Sequence, residues 1–277
     1  MSTRTATATV LYDTPGPKAR FRYRLFGVLA LLGIAGLFWY AGAKLAGAGQ
    51  FDAELWEPFQ YKAVQERIFE GMLSTLKAFG IAGVASIVLG GLLAVGRLSD
   101  HRPVRTVCTA VVEFFRAMPL LIMIFALYHA VFPSQPMWAL VLGLTLYNGS
   151  VQAEVIRTGI LAVPRGQGEA AYALGLRKTQ TMGTVLVPQA VKAMLPAIIG
   201  QLVVTLKDTS LGFVITYPEL LYAGKLIASN STGYPYIPVV IVVGTLYIGL
   251  CLALTALAKW LEARGRRGAN RRTPAAA

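Results

Sequence analysis

The sequence predicts an all-α membrane protein of about six transmembrane helices with both termini in the cytoplasm. Of its 277 residues, 55% are hydrophobic and only 14% are charged, whereas a soluble domain carries about 25% charged residues. The hydrophobic residues are gathered into runs long enough to cross the hydrocarbon layer, which takes roughly 20 residues per helix. Six such runs occupy residues 25–44, 72–96, 109–132, 137–155, 193–215 and 237–259.

The distribution of basic residues predicts the orientation in the membrane. The net charge is +13, and the basic residues concentrate in four segments, residues 18–24, 97–105, 157–192 and 264–272. Counted through six spans, these segments lie on one side, and the acidic segment 50–70 lies on the other. Lys and Arg near the ends of spans mark the cytoplasmic face. Because the charge sits between and beside spans, we expect a lipid bilayer, and no nucleic acid, as its partner.

The segments around the first run have their own signals. Residues 1–24 are polar and are predicted to form a mobile or surface-lying cytoplasmic arm. The run that follows is longer than the roughly 7–15 apolar residues of a secretory signal, so a retained span is predicted. Residues 51–69 place apolar side chains at helical spacing, with Trp56 and Tyr61 as interfacial anchors. This pattern predicts an amphipathic element on the outer surface, and a loop with scattered aromatic residues is the alternative.

Glycine is frequent inside the second run. Small residues let helix backbones approach closely in lipid, where packing drives helix association. We therefore interpret these glycines as helix-packing surfaces rather than as a binding signature. They are Gly80, Gly83, Gly90, Gly91 and Gly96.

The motifs of common enzyme classes are missing from the sequence. It contains no Gly-x-x-x-x-Gly-Lys-Ser/Thr nucleotide loop, no His-Glu-x-x-His zinc motif and no Gly-x-Ser-x-Gly nucleophile elbow. Its two histidines, His101 and His129, are expected at the surface. The sequence therefore predicts no catalytic residue, no metal site and no nucleotide bound by this chain.

A polar segment between the fourth and fifth runs, residues 163–188, carries helix signals of its own. A short helix is predicted from about Gly168, with Glu169 in the first turn, where negative charge suits the helix dipole. Gly175 accepts left-handed backbone angles and is suited to end that helix. Pro188 fits the first turn of the next element. We expect two short helices joined at Gly175 on the cytoplasmic side, and an ordinary connector is the alternative.

Positions in this segment look like the signature loop of permease subunits of ATP-binding-cassette importers. The matching positions are Glu169, Ala170, Ala171, Gly175, Val185, Val187 and Pro188. Their spacing agrees with the signature, although Val185 and Val187 stand where Ile and Leu are more usual. In that family the loop forms a coupling helix that docks on a separate ATPase subunit. The resemblance assigns ATPase coupling to Gly166, Glu169, Ala170, Ala171, Gly175 and Pro188, within a coupling loop at residues 157–192.

The resemblance covers roughly residues 71–257. Segments 71–77, 113–119, 154–157, 166–167 and 207–212 look like the polar-amino-acid branch, with Met118 where Thr is common. The resemblance implies a permease core of five helices at residues 71–260, preceded by the arm 1–24 and by a first span with the outer segment at 25–70. A basic cytoplasmic tail, 261–277, follows. The short stretch 10–18 resembles glutamate-uptake permeases in particular, while glutamine, aspartate and basic amino acids remain open.

The mechanism that the resemblance implies is import by alternating access in a bacterial plasma membrane. An extracellular binding protein would deliver the substrate, and two permease chains, this one and a paralogue or second copy, would enclose the pathway. A dimer of ATPase subunits would bind ATP and Mg and drive the cycle. A self-contained secondary transporter or channel is the main alternative. Two further alternatives are a membrane enzyme and an assembly protein.

Charged and polar residues inside spans are costly and face a polar interior or a partner. The interruption Lys-Asp-Thr-Ser in the fifth run could line the pathway, and Lys207 could hold a carboxylate. The alternative for Lys207 and Asp208 is that they pair with each other and only position the helix. The alternative for Asn148 is a hydrogen bond between helices. The candidate pathway residues are Asn148, Lys207, Asp208, Thr209 and Ser210. Structural ion pairs are expected for Glu113, Arg116, Glu154 and Arg157.

Overall fold

The computed structural model describes residues 16–231 and 233–270, the last ten of them by their backbone alone. Every regular element in this part of the chain is helical. A 3-10 helix at Ala53–Gln60 precedes α2. The helices are α1 (Pro17–Gly47), α2 (Lys62–Arg97), α3 (Arg102–Ala117), α4 (Leu120–Ala130), α5 (Pro136–Leu161), α6 (Arg165–Ala173), α7 (Lys178–Ile215), α8 (Leu220–Asn230) and α9 (Tyr236–Asn270).

Five of these helices are long and apolar enough to cross a membrane. They are α1, α2, α5, α7 and the part of α9 up to Trp260, and the pair formed by α3 and α4 adds a sixth candidate. The predicted class, an all-α membrane protein with about six spans, is confirmed. The cytoplasmic location of the termini stays a prediction.

The third predicted span is not one straight helix. The prediction of a single helix over residues 109–132 is wrong, because α3 and α4 are bent by 100° at the break between them. The break lies at Met118 and Pro119. Proline lacks the backbone N–H that would continue the helix, and it disfavours helical angles at the residue before it. Met118 is accordingly extended, with φ −79° and ψ 129°.

The chain divides into two compact units, residues 1–53 and 54–277. In the first unit, α1 begins at Pro17, inside the predicted arm 1–24, and has no buried residue. Residues 1–15, which include most of the arm, lie outside the described residues. In the second unit, the segment predicted to be amphipathic forms the 3-10 helix and the first turns of α2, with Leu55 buried and Trp56 and Tyr61 exposed.

The core of the second unit is built around the contact between α2 and α5. A Cβ atom at Gly90 would lie 2.6 Å from Cβ of Gln152 and 3.0 Å from the carbonyl oxygen of Gly149. At Gly96 a Cβ atom would lie 2.3 Å from Sγ of Cys108 on α3. Gly80 and Gly91 instead face open space. The glycines of α2 therefore belong to a packing surface at some positions and not at others.

The segment between α5 and α7 differs from the prediction in two ways. The short helix α6 begins at Arg165, before the Gly168 that we expected. The second short helix is not separate, because helix starts again at Lys178 and continues into the long α7. Pro188 therefore lies inside α7, two residues after a π-helical turn at Thr181–Leu186. A proline removes one backbone hydrogen bond from a helix, and its ring crowds the preceding turn. A wider π-helical turn provides room for the ring.

Candidate functional site

Helix α6 presents an exposed surface at one end of the bundle. Ala171 is buried against the rest of the protein, whereas Glu169 and Ala170 are exposed. Two large side chains near its end are exposed as well, Tyr172 at 51% and Leu174 at 83%. Exposed apolar side chains grouped with polar ones mark surfaces that bind another protein. The geometry thus makes α6 a candidate docking surface.

The end of α6 is fixed by its backbone. The N–H of Leu176 donates to the carbonyl of Ala171 at 3.1 Å, and the N–H of Gly175 donates to the carbonyl of Tyr172 at 2.9 Å. This pair of bonds is the Schellman motif, which needs a left-handed residue after the helix. Gly175 supplies it with φ +82°. The structure therefore places Gly175 where the sequence predicted the helix to turn.

Helix α6 contacts the long helix α7, and the start of α7 contacts the turn between α2 and α3. Nε2 of Gln189 in α7 donates to Oε1 of Gln167 in α6 at 3.3 Å. At the start of α7, the Lys178 ammonium donates to the carbonyl of Leu98 at 3.3 Å and forms an ion pair with Asp100. Leu98 and Asp100 belong to the turn between α2 and α3, so two of the four basic segments lie at the same end of the bundle.

The ion pair between Lys178 and Asp100 is on the protein surface. The ammonium group lowers the pKa of the Asp100 carboxyl, mainly through the hydrogen bond and then through charge attraction. A carboxyl whose pKa is lowered by folding contributes stability above its unfolded pKa and loses it as the pH falls through the lowered pKa. The contact is therefore expected to persist at neutral pH and to be lost only in acid.

A cluster of five charged residues joins α2, α3 and α5 near the same end. Arg97 donates to Glu154 at 2.5 Å and approaches Glu113 at 3.4 Å. Arg157 donates to Glu154 at 2.8 Å. Arg116 is the most distant member, 3.7 Å from Glu113 and 3.9 Å from Glu154. Glu113, Arg116, Glu154 and Arg157, which the sequence analysis expected in ion pairs, thus lie together around the buried Arg97.

The residues that hold this end together were not predicted from the sequence. The sequence predicts only that Arg97 and Lys178 are basic residues of cytoplasmic segments, and it gives Asp100 no role. Their partners are distant in sequence, since Arg97 is 57 residues from Glu154 and Lys178 is 78 residues from Asp100. The only local signal is the position of Arg97 directly after the apolar run 72–96, where a cation suits the negative end of the helix dipole.

The candidate pathway residues are not brought together in one site. Asn148 is buried and accepts a hydrogen bond from Nε2 of Gln201 at 2.7 Å, which joins α5 to α7. Thr209 is also buried, and its hydroxyl lies 2.7 Å from that of Tyr247 in α9. These two side chains connect helices. Asp208 is half-buried and Lys207 is exposed at the point where α7 tightens from α-helix to 3-10 helix.

Lys207 and Ser210 line a cavity of about 400 Å³ between the end of α7, α8 and α9. Ligand sites are typically about 300–1,000 Å³ and mostly apolar, with a few polar groups. Lys225 of α8 lines the same cavity, and its ammonium lies 5.0 Å from the ring centre of Phe213. At about 1.5 Å per residue, Lys207 is about 30 Å along α7 from Val187. The cavity and the α6 surface are therefore near opposite ends of the bundle.

A family model described as the inner membrane component of binding-protein-dependent transport systems matches residues 86–267, well over half of the chain. The chain belongs to this family. It is 43% identical over 236 residues to the glutamate transport system permease protein GluD of Corynebacterium glutamicum, covering 82% of this chain and 86% of that one. It is 30% identical over 212 residues to the glutamate/aspartate import permease protein GltK of Escherichia coli O157:H7, covering 71% and 92%.

Solved structures agree with this assignment. A structure described as an amino acid ABC transporter with histidines matches with a TM-score of 0.67 and 29% identity, over 72% of this chain and 94% of that chain. The methionine ABC transporter MetNI in an inward-facing conformation matches with a TM-score of 0.62 at 21% identity, which supports the fold. The predicted resemblance to permease subunits of the polar-amino-acid branch is confirmed. The chain is a transport permease for amino acids, and its family is one of transport proteins.

Proposed function

We propose that this permease moves glutamate into the cell by alternating access and is driven by a separate ATPase that docks on residues 163–188. The surface of α6 supports the proposal, because Tyr172 and Leu174 are exposed while Ala171 is buried. Such a helix is attached on one side and free to bind on the other. In this proposal the docking residues are Gly166, Glu169, Ala170, Ala171, Gly175 and Pro188, with Ala171 and Pro188 acting through the shape of the loop.

The proposal includes the other parts of an importer. A second permease chain completes the pathway, an ATPase dimer binds ATP and Mg, and an extracellular binding protein delivers the substrate. The complex lies in the bacterial plasma membrane, with the termini of this chain in the cytoplasm. The choice of glutamate rests on the relatives GluD and GltK, whose names include that substrate.

The test is ATP-dependent uptake of labelled glutamate in vesicles that contain this chain, a partner permease, the ATPase and the binding protein. The double variant Glu169→Lys/Gly175→Asp is expected to abolish uptake. It reverses an exposed charge on the docking surface and places a side chain at a left-handed backbone position. ATPase binding to the purified permease is measured alongside uptake.

The matched control is Glu66→Lys, which makes the same charge reversal at an exposed glutamate in the first turns of α2. Uptake should survive that change. If the double variant transports as well as the unmodified chain, the loop does not couple to an ATPase. If vesicles that contain this chain alone take up glutamate, a self-contained transporter is favoured instead. Uptake of another amino acid corrects only the substrate.

We also propose that the polar segment from Lys207 to Ser210 borders the substrate pathway, with Asp208 beside it and with Asn148 and Thr209 holding the surrounding helices. Replacing Lys207 with glutamine removes a cation from a residue that borders the cavity. A charge-assisted hydrogen bond contributes about 1.5–3 kcal/mol, so glutamate is expected to lose roughly tenfold or more in preference over glutamine. Competition of glutamine against labelled glutamate uptake measures this ratio.

The control for Lys207 is Lys192→Gln, at an exposed lysine of α7 that does not line the cavity. It removes the same charge and should leave the preference unchanged. An unchanged ratio for Lys207→Gln would show that this lysine positions the helix and does not contact the substrate.

A further inference from the structure

The segments on either side of α6 both contact residues 97–100, which are the last residue of α2 and the turn that follows it. The contacts come from Glu154, in α5 before α6, and from Lys178, at the start of α7 after α6. The meaning of this arrangement rests on the proposed function, because it concerns how a movement of α6 would reach the membrane spans.

The contact before the loop is strong. Arg97 is 8% exposed in its side chain and lies 2.5 Å from Glu154, which is itself held by Arg157 two turns before α5 ends. Separating a buried cation from its carboxylate is costly. Through Glu113, at 3.4 Å, the same arginine also contacts α3. The end of α5 is therefore fixed to α2 and α3.

The contact after α6 is on the surface. Lys178 donates to the carbonyl of Leu98, one of the carbonyls that a helix end leaves without an internal partner. The same ammonium pairs with Asp100, and the two side chains are 41% and 78% exposed. A lysine has three donors and suits the negative end of a helix dipole. Exposed ion pairs are weak, so this is the weaker of the two contacts and the one that substitutions can test.

We infer that residues 97–100 act as a two-point clamp on the coupling loop, so that a displacement of α6 moves the ends of α2 and α3 with it. In this arrangement Lys178 and Asp100 are positioning residues: they transmit the movement and do not contact substrate or ATPase. Arg97 fixes the first point, and the contact of Lys178 with Leu98 and Asp100 fixes the second.

The test uses charge exchange in the assembled transporter. Asp100→Lys and Lys178→Asp each place two like charges together, and the double variant restores an opposite pair. We measure the number of substrate molecules transported per ATP hydrolysed. Residues that carry coupling between sites change it by about 0.5–2 kcal/mol, so each single change is expected to lower the ratio by roughly two- to thirtyfold. The double variant should recover part of the loss, because it restores the ion pair between positions 100 and 178 but not the hydrogen bond to the Leu98 carbonyl.

The matched control is Lys62→Asp, the same substitution at an exposed lysine of α2 that forms an exposed ion pair with Glu66, outside both the coupling loop and the clamp. A general loss of folding lowers transport and hydrolysis together and leaves their ratio unchanged. Single variants with an unchanged ratio, or a double variant no better than the singles, would overturn the clamp.

A second measurement separates the clamp from the proposed function. Hydrogen exchange of the backbone amides at residues 165–177 is compared in the four purified chains. Exchange should rise in both single variants and return in the double variant. If the unmodified complex shows no ATP-dependent uptake, the proposed function fails, and the clamp is then decided by exchange alone. Unchanged exchange in the single variants overturns it.

Discussion

Replacing Gly90 with valine is expected to prevent stable folding of the permease, whereas the same change at Gly91 is expected to be tolerated. A Cβ atom at Gly90 would lie 2.6 Å from Cβ of Gln152, 3.0 Å from the carbonyl oxygen of Gly149 and 3.1 Å from the backbone nitrogen of Ala153. Two of these atoms are backbone and cannot turn away. Overpacking of a tight interior costs about 1–3 kcal/mol and sometimes more, and here α2 would have to move away from α5.

Gly91 makes this comparison sharp. It is the next residue of α2, and a Cβ atom there meets nothing within 4 Å. The helix propensity of valine is the same at both positions, so a difference between the variants reports the contact with α5. Thermal unfolding of the purified chains, followed by helical circular dichroism, measures it. Equal melting temperatures for the two variants would contradict the close approach of α2 and α5.

The spans could be predicted because their signal is local. A run of about 20 apolar residues is needed to cross the hydrocarbon layer, and such a run is visible without knowledge of its neighbours. The turn at Gly175 was also predicted for a local reason, since glycine adopts left-handed angles at low cost. The break at Pro119 was missed although the proline is visible. The apolar run continues through it, and hydropathy reports length but not direction.

The contacts that organise the loop could not be predicted in this way. Close approach at Gly90 decides which side of α2 faces α5, and close approach at Gly96 decides which side faces α3. The sequence does not distinguish these glycines from Gly80 and Gly91, which face open space. The rotation of each helix then determines which polar groups meet, as with Asn148 and Gln201. These pairings depend on packing between helices, for which a single sequence carries no periodic signal.

Only part of the candidate site could be predicted, because some of its residues are placed by local sequence and others by contacts between helices. Helix α6 and its end are set by residues close in sequence, and the structure places them at an exposed surface. The pathway residues depend on tertiary contacts, and the structure separates them into Asn148 and Thr209, which join helices, and Lys207 and Ser210, which line a cavity. Lys225 reaches that cavity from a segment in which the sequence showed no reason to expect a site.

The second large effect is expected at Arg97. Its side chain is 8% exposed, and it contacts carboxylates on two other helices. Replacing it with leucine removes the cation that joins the three helices and leaves Glu154 with only Arg157 of its own helix at 2.8 Å and the more distant Arg116. Breaking a buried ion pair on one side costs about 3–5 kcal/mol. Arg97→Lys is expected to recover only part of this loss, because one ammonium cannot span Glu113 and Glu154 as the guanidinium does.

Arg116 provides the matched control for Arg97. It belongs to the same cluster, but its side chain is 37% exposed and its contacts are longer, at 3.7 and 3.9 Å. Exposed ion pairs contribute about 0–1 kcal/mol, so Arg116→Leu is expected to lower the unfolding temperature only slightly. Denaturant or thermal unfolding of the two variants measures the difference. If both variants lose the same stability, Arg97 is not the central residue of the cluster. The end of α2 then lacks a strong ion pair to α5 that could hold the loop.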